Sequence, residues 1–170
     1  MTEEKYVIEL KRKMNQEEKS RVLEINFENL DRNGGELHYE GILSHDYVAL
    51  AKYKDEVIAY ALLEENFITK GDIYAMQIAV DGNYKNKGIG SNLYDYVYRH
   101  AKGYKVFTAS VNPSNIVSQK FHEKSGFEVV GQNNLGLLYV RPIKKDAGRS
   151  FFHARKEEFN FITKDAPEKE

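Results

Sequence analysis

The chain has 170 residues, of which 25 are lysine or arginine and 26 are aspartate or glutamate, and it contains no cysteine. With 41% hydrophobic and 30% charged residues, it has the composition of a folded globular domain. The missing cysteines exclude disulfides, thiolate zinc ligands and a cysteine nucleophile. The balanced charge gives no general attraction to nucleic acid, and no long apolar run predicts a membrane span. We therefore expect a cytoplasmic protein that binds neither nucleic acid nor membrane.

The N-terminal third of the chain predicts a strand followed by a helix. Residues 5–12 alternate apolar and polar side chains, as a half-buried strand does. The helix begins after Asn15, where Glu18 completes a capping box, and it ends at the glycines of residues 33–35. Its apolar side chains are Val22, Leu23, Ile25, Phe27 and Leu30. Residues 34–45 have no clear periodicity and predict a loop or a short second helix.

Three strands are predicted next. Residues 47–53 and 57–64 form two of them, and the turn-forming residues 54–56 between them indicate a hairpin. Residues 72–80 are apolar on both faces, which favours a position in the middle of the sheet.

Helices and strands alternate in the second half. Residues 88–102 predict a helix that Gly103 closes at the C′ position. The remaining elements are a strand over 104–111, a helix over 114–124 that ends at Gly126, and strands over 127–131 and 136–141. This order predicts an α/β or α+β fold with a central mixed, mostly antiparallel sheet flanked by helices. We expect one domain over residues 1–143 and a C-terminal extension over 144–170, with a short helix and then a frayed end.

The most informative segment is the turn between the central strand and the following helix. Gly88 and Gly90 allow close backbone approach to a ligand, and the first N–H groups of the helix favour an anion. Lys85 and Lys87 add positive charge. These features favour a diphosphate, although two glycines alone are equally consistent with a tight turn.

Two familiar phosphate-binding patterns fit this turn poorly. A P-loop has Gly-Lys-Ser/Thr, whereas Ile89 follows Gly88 here, and a dinucleotide fingerprint has a third glycine where this chain has Leu93. An unrelated nucleotide-dependent enzyme is therefore the weakest of the interpretations.

Residues 85–90 resemble the signature of the GNAT family of N-acetyltransferases, Gln/Arg-x-x-Gly-x-Gly/Ala, with Lys85 at the first position. A second family motif resembles residues 115–127, NIVSQKFHEKSGF. The resemblance implies a single GNAT-like domain in which two strands splay apart at the cofactor cleft. It implies acetyl-CoA as the co-substrate and a small-molecule or peptide amine as the acceptor. The five histidines have no metal-ligand spacing, so we predict no metal. Homodimers are frequent in the family.

The resemblance also implies which residues bind the coenzyme. The diphosphate would lie on the N–H groups of residues 86–91, and the pantetheine arm would pair with the strand before the turn. The implied binding residues are Ile78, Val80, Lys85, Asn86, Lys87, Gly88, Ile89, Gly90, Ser91 and Asn115. A cysteinyl intermediate is excluded, so direct attack by the amine in a ternary complex is favoured.

His122 stands where many family members have a tyrosine that serves as the general acid, so we predict that role for it; a structural helix residue is the alternative. No general base is named, although Glu64, Glu65, Asp72 and Tyr74 border the cleft in this fold. The implied acceptor region, residues 28–46 and 132–138, has an acidic first part that suits a cationic amine, although surface loops are commonly acidic without such a role. Its ionisable and aromatic members are Glu28, Asp31, Glu36, His38, Tyr39, Glu40, His45 and Asp46. A non-catalytic acyl-CoA sensor remains the second interpretation.

Overall fold

A computed structural model of the chain describes residues 5–30 and 44–144. The strands are β1 (Val7–Lys11), β2 (Tyr47–Tyr53), β3 (Glu56–Glu65), β4 (Asp72–Val80), β5 (Val106–Val111), β6 (Glu128–Asn133) and β7 (Gly136–Pro142). The helices are α1 (Gln16–Leu30), α2 (Ile89–His100) and α3 (Ile116–Lys124), and a short 3-10 turn covers Gly82–Tyr84. The predicted C-terminal extension, and residues 31–43 of the predicted acceptor region, lie outside the described residues.

The strands form one seven-stranded mixed sheet in the order β1-β2-β3-β4-β5-β7-β6. This confirms the predicted fold class and the central position of β4. The chain divides into two compact units, Met1–Glu64 with Met76–Arg99 and Glu65–Ala75 with His100–Glu170. In the second unit β4 pairs in parallel with β5, from Asp72 opposite Val106 to Ala75 opposite Ala109. The prediction of one domain over 1–143 stays a prediction.

In the first unit, α1 begins with the predicted capping box. The Asn15 side chain accepts a hydrogen bond from the Glu18 N–H at 2.8 Å, and the Glu18 carboxylate accepts one from the Asn15 N–H at 2.8 Å. Lys11 and Lys52 each donate to the same carboxylate at 2.7 Å. Burial alone would raise the pKa of Glu18, but these bonds lower it to about 2.

The buried face of α1 differs from the predicted one. Val22 and Ile25 are fully buried in the core of the first unit, whereas Phe27 is 53% exposed. The helical repeat places Asn26 and Asn29, not Phe27, on the face of Val22 and Ile25. This face is therefore partly polar.

The ends of two other elements follow from backbone conformation. Lys54 and Asp55 both have positive φ, 48° and 65°, so the β2–β3 hairpin closes with a two-residue turn and Glu56 already belongs to β3. The prediction for Gly103 is wrong. Helix α2 ends at His100, and Gly103 is not among the glycines with positive φ.

Candidate functional site

The end of β4 is held by α1. The side-chain amide of Asn29 donates a hydrogen bond to the Val80 carbonyl oxygen at 3.1 Å. Along the strand, Ile78 and Val80 are half-buried, whereas Gln77 and Ala79 are buried. Because side chains alternate between the two faces of a strand, Ile78 and Val80 share the less buried face. These are the two strand residues for which the sequence predicts cofactor pairing.

Asp81 organises the turn that follows β4. Its Oδ1 accepts a hydrogen bond from the Asn83 N–H at 2.8 Å, and its carbonyl oxygen accepts one from the Tyr84 N–H at 2.9 Å. Its other carboxylate oxygen pairs with the guanidinium of Arg21 on α1. Asp81 is only 3% exposed, so its own atoms in these three bonds are shielded from bulk water. Neither Arg21 nor Asp81 is assigned a role in the sequence analysis.

Residues 85–88 form an exposed segment that leads into α2. Asn86 and Gly88 have positive φ, 61° and 76°, and the Asn92 N–H donates to the Gly88 carbonyl at 3.0 Å. A Cβ at Gly88 would meet no atom within 4 Å, so glycine is favoured there by backbone conformation and not by crowding. The first N–H groups of a helix have no acceptor within it and carry the positive end of its dipole. This turn therefore combines N–H donors with open space.

The side chains around the turn suit an anion as well. Lys85 and Lys87 are exposed, and the Lys87 Nζ lies 5.5 Å from the centre of the Tyr84 ring. Ile89 and Gly90 are buried, so they anchor the start of α2. The exposed lysines and the open space at Gly88 suit an anion, and the role of these residues in binding a diphosphate stays a prediction.

Ser91, also predicted to bind the cofactor, is half-buried in the first turn of α2. The last predicted cofactor residue, Asn115, is in the second unit. Its side chain accepts a hydrogen bond from the Ser118 N–H at 3.0 Å and so caps the N-terminus of α3. Asn115 is exposed. Its predicted contact with the pantetheine arm stays a prediction, and the cap accounts for the asparagine at this position without a ligand.

His122 lies on the buried side of α3 and is 3% exposed. Its Nδ1 lies 2.7 Å from the Ser118 carbonyl oxygen. Since a carbonyl oxygen can only accept, Nδ1 carries the hydrogen and Nε2 of the neutral ring is an acceptor. The ring packs against Phe121, Phe127 and Tyr139, with centroids 5.2, 5.4 and 5.5 Å away. Burial lowers the pKa of His122, and the bond to Ser118 offsets this only in part.

His122 also belongs to the C-terminal cap of α3. The Phe127 N–H donates to the His122 carbonyl at 3.0 Å and the Gly126 N–H donates to the Glu123 carbonyl at 3.2 Å, which are the two bonds of a Schellman motif. Gly126 has a φ of 89°, as the motif requires. The contact between the rings of His122 and Phe127 is the apolar contact that often accompanies this cap. The general-acid role of His122 stays a prediction, and the geometry favours a neutral, structural ring.

Asp72, one of the possible bases, is fully buried at the start of β4. It accepts hydrogen bonds from the N–H groups of Phe67 at 2.8 Å and Ile68 at 3.0 Å, and from the Thr108 hydroxyl at 2.7 Å. Burial raises its pKa to about 6, although these bonds oppose the rise. The carboxylate thus ties the loop before β4 to β5 and has an evident structural function.

The other possible bases are less constrained. Burial, and then the nearby Asp46, raise the pKa of Glu64. Glu65 accepts a hydrogen bond from the Tyr104 hydroxyl, and the Tyr74 ring stacks on Phe67 with centroids 4.3 Å apart. None of these contacts singles out a base.

Within residues 5–30 and 44–144, no group of three or more His, Asp or Glu side chains is arranged to hold a metal ion. Among the same residues, no helix has the length and apolar character that crossing a membrane requires.

The sheet is mixed, with β4 and β5 parallel, and the glycine turn lies between β4 and α2. The family model for the acetyltransferase (GNAT) family matches residues 8–127, and the chain belongs to this family. The resemblance inferred from the two motifs is thereby confirmed. No curated protein matches the sequence.

Solved structures show the same fold. An acetyltransferase of the GNAT family from Staphylococcus aureus Mu50 is similar with a TM-score of 0.66 and 17% identity, over 81% of this chain and 100% of that one. The PaiA N-acetyltransferase of Thermoplasma acidophilum, in complex with coenzyme A, gives 0.63 and 16%, over 80% and 99%. A ribosomal-protein-alanine N-acetyltransferase of Escherichia coli gives 0.56 and 15%, over 84% and 97%.

Proposed function

We propose that this chain transfers the acetyl group of acetyl-CoA to a primary amine by direct attack in a ternary complex. The observation that carries the proposal is the turn over residues 85–91, where N–H groups at the start of α2, a left-handed Gly88 and two exposed lysines suit a diphosphate. Family membership supplies the class of reaction. Ile78 and Val80, on the less buried face of β4, would then pair with the pantetheine arm.

The reaction needs two proton transfers. The amine must be neutral when its nitrogen attacks the thioester carbonyl; it then loses a proton as the C–N bond forms, and the leaving thiolate gains one as the C–S bond breaks. A main-chain N–H near Val80 is suited to polarise the thioester carbonyl oxygen while the amine attacks the carbonyl carbon. A cationic amine remains the proposed acceptor, because Glu28, Asp46 and the residues between them are rich in carboxylates.

A ligand-stabilisation experiment tests the proposal. Acetyl-CoA at 100 times its dissociation constant should stabilise the fold by about 2.7 kcal/mol, which raises Tm measurably, whereas ATP and NAD should not. The absence of a shift with any acyl-CoA would refute coenzyme binding and with it both the enzyme and the sensor interpretations.

Glycine variants locate the binding site. Gly88→Ala carries a cost of about 1 kcal/mol for its left-handed backbone, which Gly88→Asn largely avoids because asparagine tolerates that conformation. If the diphosphate lies against the turn, both variants should weaken acetyl-CoA binding, since each places a Cβ in the space the ligand needs. Gly103→Ala is the matched control, because a Cβ there meets no atom within 4 Å and its φ is not positive. Normal binding by Gly88→Asn would place the ligand elsewhere.

A sensor without turnover is the second candidate. It is favoured by Lys85 in place of the family's Gln or Arg, and by the buried His122 ring that carries its hydrogen on Nδ1. Thiol release from acetyl-CoA in the presence of polyamines, aminoglycosides, amino acids and peptides separates the two. Release above the rate without amine supports the enzyme, and binding without release supports the sensor.

A further inference from the structure

One face of α1 is docked on the end of β4. Arg21, Ile25 and Asn29 are four residues apart in turn, so they line one side of the helix. Ile25 is fully buried in the core of the first unit, and Asn29 donates to the Val80 carbonyl at 3.1 Å. Arg21 pairs with the carboxylate of the next residue, Asp81. The last residue of β4 and the first residue of the turn are thus both held by this helix.

Arg21 donates from Nε to the Val57 carbonyl oxygen at 3.1 Å and faces three carboxylates, of which Asp81 is the most buried. Its Nη1 donates to Glu24 at 2.9 Å, and its Nε lies 3.0 Å from Glu56, but these carboxylates are 64% and 66% exposed. The Asp81 side chain is 4% exposed. An ion pair removed from water interacts more strongly than one at the surface, and leaving either partner alone is costly. Of the three ion pairs of Arg21, the pair with Asp81 is therefore the one most shielded from water.

Asp81 transmits that position to the turn itself. While one carboxylate oxygen is bound to Arg21, the other accepts the Asn83 N–H at 2.8 Å. The Asp81 backbone N–H donates to the Ile58 carbonyl on β3 at 2.8 Å. A single side chain thus connects α1 to the backbone of the residues that lead into the diphosphate turn.

We propose that Arg21 and Asp81 are positioning residues for the nucleotide half of the acyl donor. This inference rests on the proposed function, because it assumes that the turn over 85–91 binds the coenzyme A diphosphate. Asp81 fixes where the turn begins, and Arg21 holds Asp81 and also neutralises a carboxylate that would otherwise repel a diphosphate bound nearby.

The roles of the two residues are unequal, which makes the proposal testable. Asp81→Asn keeps an oxygen for the Asn83 N–H and removes a negative charge, so it loses only the hold on Arg21. Arg21→Gln leaves the Asp81 carboxylate buried without its cation. We therefore expect Arg21→Gln to be the more harmful change, and the double variant to be less harmful than Arg21→Gln alone. Arg21→Lys, which keeps the charge, should fall between the wild type and Arg21→Gln.

The measurement compares two acyl donors, acetyl-CoA and S-acetylpantetheine, which lacks the nucleotide and the diphosphate. With the amine that gives the highest rate, KM for acetyl-CoA should rise about tenfold in Asp81→Asn, as expected for a misplaced binding group. Its KM for S-acetylpantetheine and its kcat should change less than about twofold. Glu24→Gln, which removes an exposed partner of the same arginine, is the control and should resemble the wild type.

Each result has a distinct meaning. A KM that rises equally for both donors, or equally in Asp81→Asn and Glu24→Gln, overturns the positioning role. An unchanged KM for acetyl-CoA in both Asp81→Asn and Arg21→Gln overturns it as well, while the proposed function stands if the wild type uses acetyl-CoA. A wild type that binds no acyl-CoA refutes both. Tm without ligand shows which variants fold. If Asp81→Asn does not fold, Arg21→Lys takes its place in the comparison of the two acyl donors.

Discussion

Replacing His122 by phenylalanine separates a structural role of this ring from a catalytic one. Phenylalanine keeps a planar ring in the space between Phe127 and Tyr139, and it removes the bond from Nδ1 to the Ser118 carbonyl. That bond is worth about 1 kcal/mol, and the loss is partly offset because an imidazole no longer has to be buried. We expect the free energy of unfolding to change by less than about 1 kcal/mol, whereas His122→Ala, which leaves a cavity, should lose about 3 kcal/mol.

The catalytic effect follows from the protonation state of the ring. Burial holds the pKa of His122 below its ordinary value of 6.5, so the imidazolium is scarce at pH 7.5, and the neutral ring has its hydrogen on Nδ1, bound to Ser118. A general acid contributes about 100-fold to 10,000-fold to a rate. We expect His122→Phe to keep kcat at pH 7.5 within about threefold of the wild type, because a ring in this state donates no proton from Nε2.

The assay is thiol release from acetyl-CoA between pH 5.5 and 8.5, with acetyl-CoA binding checked by the shift in Tm. Exposed His100 provides the control variant, His100→Phe. An acid role would make the wild-type rate fall as pH rises through the lowered pKa, and His122→Phe would lose that dependence together with at least 100-fold in rate. That result, with coenzyme binding intact, would refute our reasoning from the tautomer and restore the general-acid assignment.

Three further predictions concern charge. The lowering of the Glu18 pKa from 4.5 to about 2 contributes about 3 kcal/mol to the free energy of unfolding. This contribution is fully present above pH 4.5 and is lost as pH falls toward 2. In denaturation at pH 7, Glu18→Gln should therefore be less stable by this amount, and Glu17→Gln should not. Because the pKa of Asp72 is raised from 3.8 to about 6, its contribution to the free energy of unfolding is fully present below pH 3.8. That contribution, up to about 3 kcal/mol, is lost as pH rises through 6, and Asp72→Asn should not show this pH-dependent loss of stability. Lys85→Ala should raise the dissociation constant of acetyl-CoA about fivefold at low salt and less at 0.5 M salt, and Lys102→Ala should leave it unchanged in the same titration.

Elements set by local patterns were predictable from the sequence. The capping box of Asn15 and Glu18, and the apolar character of β4 on both faces, each depend on neighbours within a few residues. The face of α1 was not predictable in the same way. Phe27 is apolar yet exposed, while Asn26 is buried because its amide donates to Tyr60 at 3.0 Å and to Gln77 at 2.8 Å. A polar side chain with partners across the core leaves no hydrophobic signal, so periodicity places the stripe on the wrong residues.

In the candidate site, too, the local features were predictable from the sequence and the long-range contacts were not. The left-handed Gly88 and the helix start behind it are properties of consecutive residues, and the motif that resembles the family lies there. The hold of Arg21 on Asp81 joins residues that are 60 apart in sequence, and neither residue type reveals the other. The available signal was an arginine four residues before Ile25, on the buried side of an amphipathic helix, where a charge requires a partner.

The second family motif, residues 115–127, carries information about the ends of α3 and about a possible proton donor. Asn115 caps α3, and Gly126 with Phe127 closes it in a Schellman motif around His122. These positions would have to be filled by such residues in any helix of this length that begins and ends as α3 does, whether or not the protein transfers an acyl group. The match over 115–127 therefore supports the fold more strongly than it supports a proton donor. The turn over 85–91, whose exposed lysines and left-handed Gly88 serve no comparable packing function, is the stronger argument for coenzyme binding.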